Sequence, residues 1–453
     1  MPKEIPKCPK KPETPLSAAL AHTYSLELKT PLFGGGVEAG ENDPSHPIRA
    51  TSIRGHLRFW WRATRGRRFA NPAALWLREE EIFGSTRFPS PVRISVEFDP
   101  KTPPAFINPT EFNRFGPDGY ALFAAIQNGN RVIQEGLKFK VSMAWISPAQ
   151  LKSRRAALNE QLMKAKEPPL PAEVADVADD LRDAMWAWVN FGGIGGRTRR
   201  GCGALLCHED GFAPKSVAEI EGWLLAAQQR FGVAATTAPL WSQLGTHLYY
   251  RPQPEPAINA WLTAMSAFKT FRQGEGVGRN RRRPGSNRPG RSYFPEPETI
   301  RQTMNQRDPK HTPFPKPFPN DAFPRAEFGL PIVFQFQGGE VDQTVLYPRV
   351  GNEKPERMAS PLILKPLCLK DGNAVAVIVP LVVPWFSGVD LTLRLEFRIR
   401  GRDQIRRTFP QSSTRRPDLG TYPNSPLAGS PSGSAIEAFL AFAQNADNNF
   451  RRA

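Results

Sequence analysis

The sequence predicts an α+β protein with two domains. Segments with the two-residue alternation of strands and segments with the spacing of helices follow one another in the first half as strand, helix, strand, strand, helix, strand. The second half repeats this order more loosely. The order β-α-β-β-α-β is that of the ferredoxin-like (RRM-like) split unit, and 453 residues with 40% apolar content suffice for two such cores.

The first domain is expected over 21–235, after a flexible lead-in at 1–20. Its first helix follows Ser52 as N-cap, because apolar residues then fall on one face. Its last helix ends before Gly192, at a position where glycine is favoured. The strands are expected at 24–30, 92–98, 137–145 and 204–207, and further helices at 79–83 and 172–190.

The second domain is expected over 236–401, with an Arg/Pro-rich insertion at 275–330, and a polar tail with a closing helix at 402–453. Proline makes up 47 of the 453 residues, about twice the usual share, and its excess marks the lead-in, the insertion and the tail as extended segments. The elements of this half are expected at 245–250, 331–336, 341–347, 362–369, 374–383 and 391–399 for strands, and at 256–271 and 434–446 for helices.

Positive charge is concentrated in three arginine-rich segments, 48–68, 192–203 and 279–291. They hold sixteen arginines and no acidic residue, against a formal net charge of +17. Basic clusters that include glycine-rich loops are typical of nucleic-acid binders. An acidic membrane surface is the competing partner, but the sequence shows neither a lipid-anchor signal nor an apolar run of membrane-spanning length, so no membrane contact is predicted.

The first basic segment places four arginines on one face of the predicted helix. Stacked guanidinium groups repel one another unless an anion lies along them, and phosphate fits their planar fork. A solvated basic helix is the alternative. Core packing of both adjacent tryptophans is the favoured interpretation, and stacking of one of them on a base is the alternative. The predicted contacts in this segment are Arg49, Arg54, Arg58, Trp60, Arg62 and Arg65.

Two glycine-rich loops, 33–36 and 192–203, are predicted to approach the nucleic acid. In the second loop, glycines allow several backbone N–H groups to converge on a phosphate while arginines supply countercharge. It is not a P-loop, since no Gly-Lys-Ser/Thr follows, nor a dinucleotide fingerprint, since it follows a helix. A tight turn is the alternative for the first loop. The predicted contacts are Gly34, Gly35, Gly195, Gly196, Arg197, Arg199 and Arg200.

The third basic segment lies in the proline-rich insertion. It resembles a mobile basic strap that becomes ordered on RNA, and low complexity without a ligand is the alternative. Its predicted contacts are Arg283, Arg288, Arg291 and Tyr293.

The string TPLFGGG at 30–36, followed by RATSIRGHLRFWWRA at 49–63, resembles the RAMP superfamily of CRISPR-associated RNA-binding proteins. Within that superfamily the chain looks most like the first-named Cmr subunits of type III-B effector complexes. The segments at 191–203, 288–297 and 357–362 fit the same family. The first string is highly specific, and the glycine-rich loop is shared by RAMP proteins in general.

The resemblance implies a cytoplasmic, non-catalytic RNA-binding subunit that belongs to an antiviral ribonucleoprotein. Its partners would be crRNA, target RNA and other Cmr RAMP subunits. It would lie at the 3′ end of the crRNA and help to capture target RNA, because the cleaving aspartates of this family belong to a separate subunit.

Two other functions are weighed against this one. RAMP relatives that process crRNA precursors use a histidine without a metal, and His46 and His56 lie near the basic segments. A basic protein scaffold is the third hypothesis. No metal or other cofactor is predicted, because Cys202-x4-Cys207-His208 lacks a second ligand pair, and the four scattered cysteines suit a reducing cytoplasm.

Overall fold

A computed structural model describes residues 20–99, 102–170, 176–232, 239–282, 284–285, 290–305, 321–336, 341–350, 357–384, 389–395 and 406–453. Within these residues the fold is α+β with antiparallel sheets, as predicted. The α-helices of the described residues are α1 Ala50–Ala63, α2 Pro72–Phe83, α3 Pro117–Ala121, α4 Phe123–Asn128, α5 Pro148–Lys164, α6 Val177–Phe191, α7 Ile220–Phe231, α8 Ala257–Gln273, α9 Glu296–Met304 and α10 Ala435–Ala443.

The same residues contain strands that pair into three larger sheets and one two-stranded sheet, β3 with β4. The strands are β1 Leu20–Leu28, β2 Arg93–Phe98, β3 Phe106–Ile107, β4 Val132–Ile133, β5 Lys138–Trp145, β6 Leu205–Cys207, β7 Gln243–Leu244, β8 Tyr249–Tyr250, β9 Ile332–Phe334, β10 Thr344–Val350, β11 Leu362–Cys368, β12 Ala374–Val382, β13 Val389–Leu395, β14 Arg406–Phe409 and β15 Arg451–Arg452.

The first sheet has the strand order β2-β5-β1-β6, with α1 and α6 packed together on its inner face. Alternation along β1 buries Leu26 and Leu28, and alternation along β5 buries Phe139 and Val141. Leu26 of β1 lies opposite Phe139 of β5 on one side and Cys207 of β6 on the other, so β1 is the strand between these two. The elements β1, α1, β2, β5, α6 and β6 follow one another as the sequence predicts.

Helix α1 begins three residues earlier than a cap at Ser52 predicts. Arg49 is the N-cap without a side-chain cap, and its carbonyl accepts hydrogen bonds from the N–H groups of Ser52 and Ile53 at 3.0 and 3.2 Å. Ser52 is therefore inside the helix, which corrects the predicted cap. Because the helix ends at Ala63, Arg65 lies in the following 3₁₀ turn and outside the helix.

The second sheet has the order β11-β12-β8-β15, with β7 added on β12. Helix α8 packs on β11 and β12, and the succession β8, α8, β11, β12, α10, β15 repeats that of the first half. The end of the chain is part of this unit, since Arg451 pairs with Tyr250. Phe439 of α10 and Leu427 before it are buried in its core. The separate tail expected at 402–453 is therefore corrected.

A third sheet, β14-β13-β10-β9, is built from two segments of the second half. One segment lies between α8 and β11, and the other lies between β12 and α10. The strands expected at 331–336, 341–347 and 391–399 fall here, in a small core with α9, and not beside β11 and β12. Alternating apolar residues indicate a strand but do not specify its partner. Within the described residues, none of the helices combines the length and apolar character that crossing a membrane requires.

Candidate nucleic-acid interface

Contacts within the fold occupy two arginines of the first basic segment. Arg54 donates to two backbone carbonyls and one hydroxyl at 2.8 to 3.2 Å. Arg65 is buried and donates at 2.7 Å to both Asp180 and Asp183. Neither guanidinium group faces outward to a phosphate, so both are removed from the predicted contact set. A sequence pattern shows which residues share a helix face but does not show what lies opposite that face.

Arg58 and Arg62 remain partly exposed but share a carboxylate. Each donates to the same oxygen of Glu79 at 2.6 Å, and their side chains are 30% and 33% exposed. The pair thus carries one uncompensated positive charge and free N–H groups on its outer side. This contact joins α1 to α2, which explains how a stripe of like charges is stabilised without a ligand.

Both adjacent tryptophans of α1 are buried. Trp60 is 3% exposed and Trp61 is 1% exposed. Trp60 packs against Phe59 and Phe191, with ring centroids 5.2 and 6.2 Å away. A base has no access to either ring, so both tryptophans pack in the core and Trp60 is removed from the predicted contacts.

The two glycine-rich loops meet beside the first turn of α1. The N–H of Gly196 donates to the carbonyl of Phe33 at 2.5 Å, and the Cβ of any larger residue at Gly195, whose φ is +79°, would lie 2.6 Å from that oxygen. Together with Gly35 and Arg49, these glycines line a cleft of about 260 Å³. We call it the glycine cleft. Gly34 lies behind it, against Gly40.

A larger cleft of about 940 Å³ opens on the other side of the 192–203 loop, and we call it the arginine cleft. Arg197, Arg199 and Arg200 form one wall, and α8 with the 325–333 and 357–360 segments forms the other. Among the described residues, nine basic side chains and no acidic one line this cleft: Arg114, Arg197, Arg199, Arg200, Lys269, Arg272, Arg279, Arg325 and Arg357. Six of these lie outside the predicted contacts, because helix spacing and isolated basic residues gave no signal.

The loop is fixed in place by the second sheet. Gly201 has a φ of +75°, and a Cβ there would lie 2.5 Å from the carbonyl oxygen of Leu364 in β11. The adjacent Lys365 is fully buried, and its Nζ donates to the carbonyls of Val189 and Gly192 at 3.0 and 2.8 Å. Burial lowers the pKa of Lys365 to about 7. An amine at the C-terminal end of α6 thus joins the glycine-rich loop to the second half of the chain.

The arginine cleft is electrostatically frustrated. The pKa of Arg199 is lowered to about 10 by burial, and that of Arg200 is lowered to about 10 mainly by burial, with the neighbouring Arg272 contributing. All these groups remain cationic at neutral pH, so they repel one another. Buried guanidinium nitrogens in Arg200, Arg272 and Arg279 have no hydrogen-bond partner among the described residues. A polyanion in the cleft would relieve the repulsion.

Aromatic side chains border the same cleft. Arg200 lies over the ring of Phe268 at 4.4 Å, and Arg272 donates to the hydroxyl of Tyr120 at 2.7 Å. Phe115 and Phe123 are 81% and 51% exposed at its rim. Aromatic rings beside arginines are typical of single-strand binding surfaces. Phe115 and Phe123 are in a region with no basic run, and the sequence therefore did not indicate them.

The predicted strap is only partly described. Arg283 and Arg288 lie outside the described residues. Arg291 is within 3.6 Å of Glu298, and Tyr293 accepts at its carbonyl a 2.7 Å hydrogen bond from Tyr422. Arg279, at the base of the segment, lines the arginine cleft.

The two histidines considered for catalysis are far from equivalent. His46 is 76% exposed and lies 3.9 Å from Asp43. His56 lines the glycine cleft and stacks on Trp188 at 5.9 Å, and burial lowers its pKa to about 4. His56 is the one histidine among the described residues that line either cleft, and it is neutral at physiological pH.

An α+β fold of antiparallel sheets with glycine-rich loops at a basic cleft is consistent with an RNA-binding class. The family model of the RAMP superfamily matches residues 25–206 of this chain. In sequence the chain is similar to two curated proteins of Pyrococcus furiosus. "CRISPR system Cmr subunit Cmr1-1" is 30% identical over 164 residues, 35% of this chain, and "CRISPR system Cmr subunit Cmr1-2" is 26% identical over 191 residues, 40% of this chain.

The matches cover different shares of these relatives. The chain spans 40% of the length of Cmr1-1 and 92% of Cmr1-2. Among solved structures, apo Cmr1 from Pyrococcus furiosus has a TM-score of 0.48 and 17% identity, with 85% of this chain and 94% of that chain covered. A chain of the type III-B Cmr-beta complex bound to cognate target RNA has a TM-score of 0.46 and 11% identity, with 82% and 96% covered.

Proposed function

We propose that this chain is a non-catalytic, Cmr1-like RNA-binding subunit of a type III-B CRISPR ribonucleoprotein. The observation that carries the proposal is the arginine cleft, where nine basic side chains and no acidic one of the described part of the chain surround a space of about 940 Å³. The glycine-rich loop of the RAMP region supplies one wall, and a polyanion is the ligand that such a lining favours. The RAMP match and the Cmr1 relatives support RNA as that polyanion.

The proposed position is the crRNA 3′ end, beside other Cmr RAMP subunits in the cytoplasm, where the chain helps to capture target RNA for antiviral defence. The contacts retained from the sequence are Gly35, Arg49, Gly195 and Gly196 in the glycine cleft, and Arg197, Arg199 and Arg200 in the arginine cleft. Gly34, Arg58, Arg62, Arg283, Arg288, Arg291 and Tyr293 remain secondary proposals.

We further propose that the chain comprises two ferredoxin-like units with a boundary near 235. The strand orders β2-β5-β1-β6 and β11-β12-β8-β15 support this division, since both follow from a β-α-β-β-α-β succession. The second unit then extends to the end of α10 and β15 and includes the small third sheet as an insertion.

Catalysis by a histidine is the alternative, and the geometry gives it little support. A general acid must be protonated at working pH, whereas the pKa of His56 is lowered to about 4. Among the described residues that line the glycine cleft, Arg49 is the one ionisable side chain besides His56.

The test is a titration of the purified chain against labelled single-stranded RNA of about 40 nucleotides, at about 50 and 200 mM salt, followed by a denaturing gel. If about six phosphates are contacted, the logarithm of the affinity falls with a slope of about −4, which is about 300-fold over this range. Salt-insensitive binding would refute the RNA function and favour the scaffold. RNA that is cleaved in the presence of a chelator would favour the histidine nuclease.

The proposed position needs its own experiment. Photo-crosslinkable nucleotides are placed at the 3′ or the 5′ end of the crRNA in a reconstituted complex. We expect crosslinks to this chain from the 3′ end, and crosslinks confined to the 5′ end would exclude the position while leaving RNA binding intact.

A further inference from the structure

Two phenyl rings lie exposed at the mouth of the arginine cleft. Phe115 is 81% exposed and Phe123 is 51% exposed, and both line the cleft. Val333, 51% exposed, lies in the lining contributed by the second half of the chain. Exposed apolar side chains scattered singly need no explanation, but several around one opening mark an interaction site.

The ring of Phe115 is held outward by its own loop. The N–H of Phe115 donates to Asn113 Oδ1 at 3.0 Å, and the N–H of Asn113 donates to Asp118 Oδ2 at 2.9 Å. Lys269 Nζ donates to the carbonyl of Phe115 from α8. Three hydrogen bonds thus fix the backbone around a side chain that is itself largely exposed. Such a preorganised ring costs little entropy when a ligand stacks on it.

We propose that Phe115 and Phe123 form a base-stacking rim, so that the arginine cleft takes unpaired nucleotides. The inference rests on the proposed RNA-binding function and adds to it a subsite and a strand preference. An unpaired base lies flat on a rim phenyl while its phosphate enters the cleft toward Arg199, Arg200 and Arg272. Within a duplex, the faces of the bases are covered by their neighbours, so only the phosphates remain available.

The charges inside the cleft favour a nucleic acid over a protein segment. A peptide that packed on the two rings would also cover the guanidinium groups of Arg200 and Arg272, which have unpartnered buried nitrogens among the described residues. Covering unpaired cations without an anion is strongly unfavourable. A strand that places a base on each ring brings its own phosphates, so apolar and ionic contacts are satisfied together.

The experiment removes the ring and the base separately. Full-length chain is titrated with a labelled oligouridylate of about 12 nucleotides, and with the same backbone in which abasic residues replace the nucleosides. The double variant F115A/F123A is compared with the parent chain. Both rings are exposed, so the variant keeps the fold, and F115W/F123W retains stacking. Trp76, which is 52% exposed and lines neither cleft, provides the control variant W76A.

The expected result is coupling between the two changes. Each base that stacks on a ring should strengthen binding by about 5- to 150-fold. This gain requires both the rings and the bases, so it should be seen only when the parent chain binds the intact oligomer. The double variant should bind both oligomers equally, with the salt slope of the parent chain, whereas W76A behaves as the parent chain and F115W/F123W recovers affinity.

Three outcomes separate the inference from the function on which it rests. If the parent chain binds neither oligomer, the proposed RNA function is wrong. If the parent chain binds RNA with a steep salt slope but F115A/F123A binds as tightly, the stacking rim is wrong while the function stands. The same conclusion follows if the oligomer binds equally well after it is annealed to a complementary strand. If the double variant loses a partner subunit but no RNA affinity, the rings are a protein contact and the inference is overturned.

Discussion

Arg65 distinguishes a structural arginine from an RNA contact, and its replacement has a calculable cost. The variant R65M removes a buried guanidinium group that donates at 2.7 Å to Asp180 and to Asp183, which are 2% and 0% exposed. Asp180 retains Arg78 at 2.7 Å, and Asp183 retains Arg230 at 3.1 Å. Each carboxylate therefore loses one of two close partners while it stays buried.

The expected loss is about 3 to 5 kcal/mol of unfolding free energy, the usual effect of removing one partner of a buried ion pair. Urea denaturation followed by tryptophan fluorescence measures it. The milder variant R65K keeps the charge but not the two-pronged geometry, and we expect an intermediate loss. A matched control is E160A, which breaks the Lys164–Glu160 pair; both side chains are more than half exposed, so the change should stay below about 0.5 kcal/mol.

The RNA titration provides the second measurement. If Arg65 acts only inside the fold, R65K binds single-stranded RNA as tightly as the parent chain under conditions in which both are folded. An R65K protein with unchanged stability and weakened RNA binding would refute this reasoning and restore the arginine stripe as an RNA surface.

Three further outcomes are expected. The double variant R199Q/R200Q should reduce the salt slope of RNA binding by about 1.4, because each lost phosphate contact contributes about 0.7 on a single strand. The control variant R451Q/R452Q, on the exposed strand β15, should leave the slope unchanged. In the folded chain the pKa of Lys365 is lowered to about 7 from an ordinary 10.5, so the unfolded chain binds more protons than the folded chain above pH 7. The unfolding free energy should therefore rise by about 3 kcal/mol between pH 7 and 9.5. Denaturant titrations at the two pH values should show that K365M lacks this part of the rise. The variant H56A should leave RNA intact and bind it with the same pH profile from 5.5 to 8 as the parent chain, because a group with a pKa of about 4 stays neutral across that range; a lost acidic limb of binding or cleavage would contradict this.

The sequence was most informative where the pattern depends on local chemistry. Alternation in β1 and β5 and helical spacing in α6 follow from one buried face, and each was located correctly. Helix α5 was not anticipated, although Ser147 and Gln150 form a capping box at its start. Its apolar residues are few, so the periodicity that identifies most helices is weak.

The candidate site was less accessible to sequence reasoning. Gly35, Gly195 and Gly196 were indicated because several glycines in a row are rarely needed for packing, and they do meet in one cleft. Arg54 and Arg65 were assigned to RNA because their acceptors, the Val92 carbonyl and the two aspartates, lie 38 to 118 positions away. Pairing across such distances is set by tertiary packing, which no local pattern contains.

The wall of the arginine cleft that α8 and the later segments supply has a consequence for the chain as a heritable unit. Four of its nine basic side chains come from residues before 201, and five come from residues after 268. A fragment ending near 232 would contain the glycine-rich loop without the β11 residues that fix it, and would present fewer than half of these charges. A substitution in one half of the chain that displaces a guanidinium group from the cleft is therefore compensated only by substitutions in the other half. The two units are expected to coevolve as one gene product, and exchanging either unit between distant relatives should yield folded chimeras with defective RNA binding.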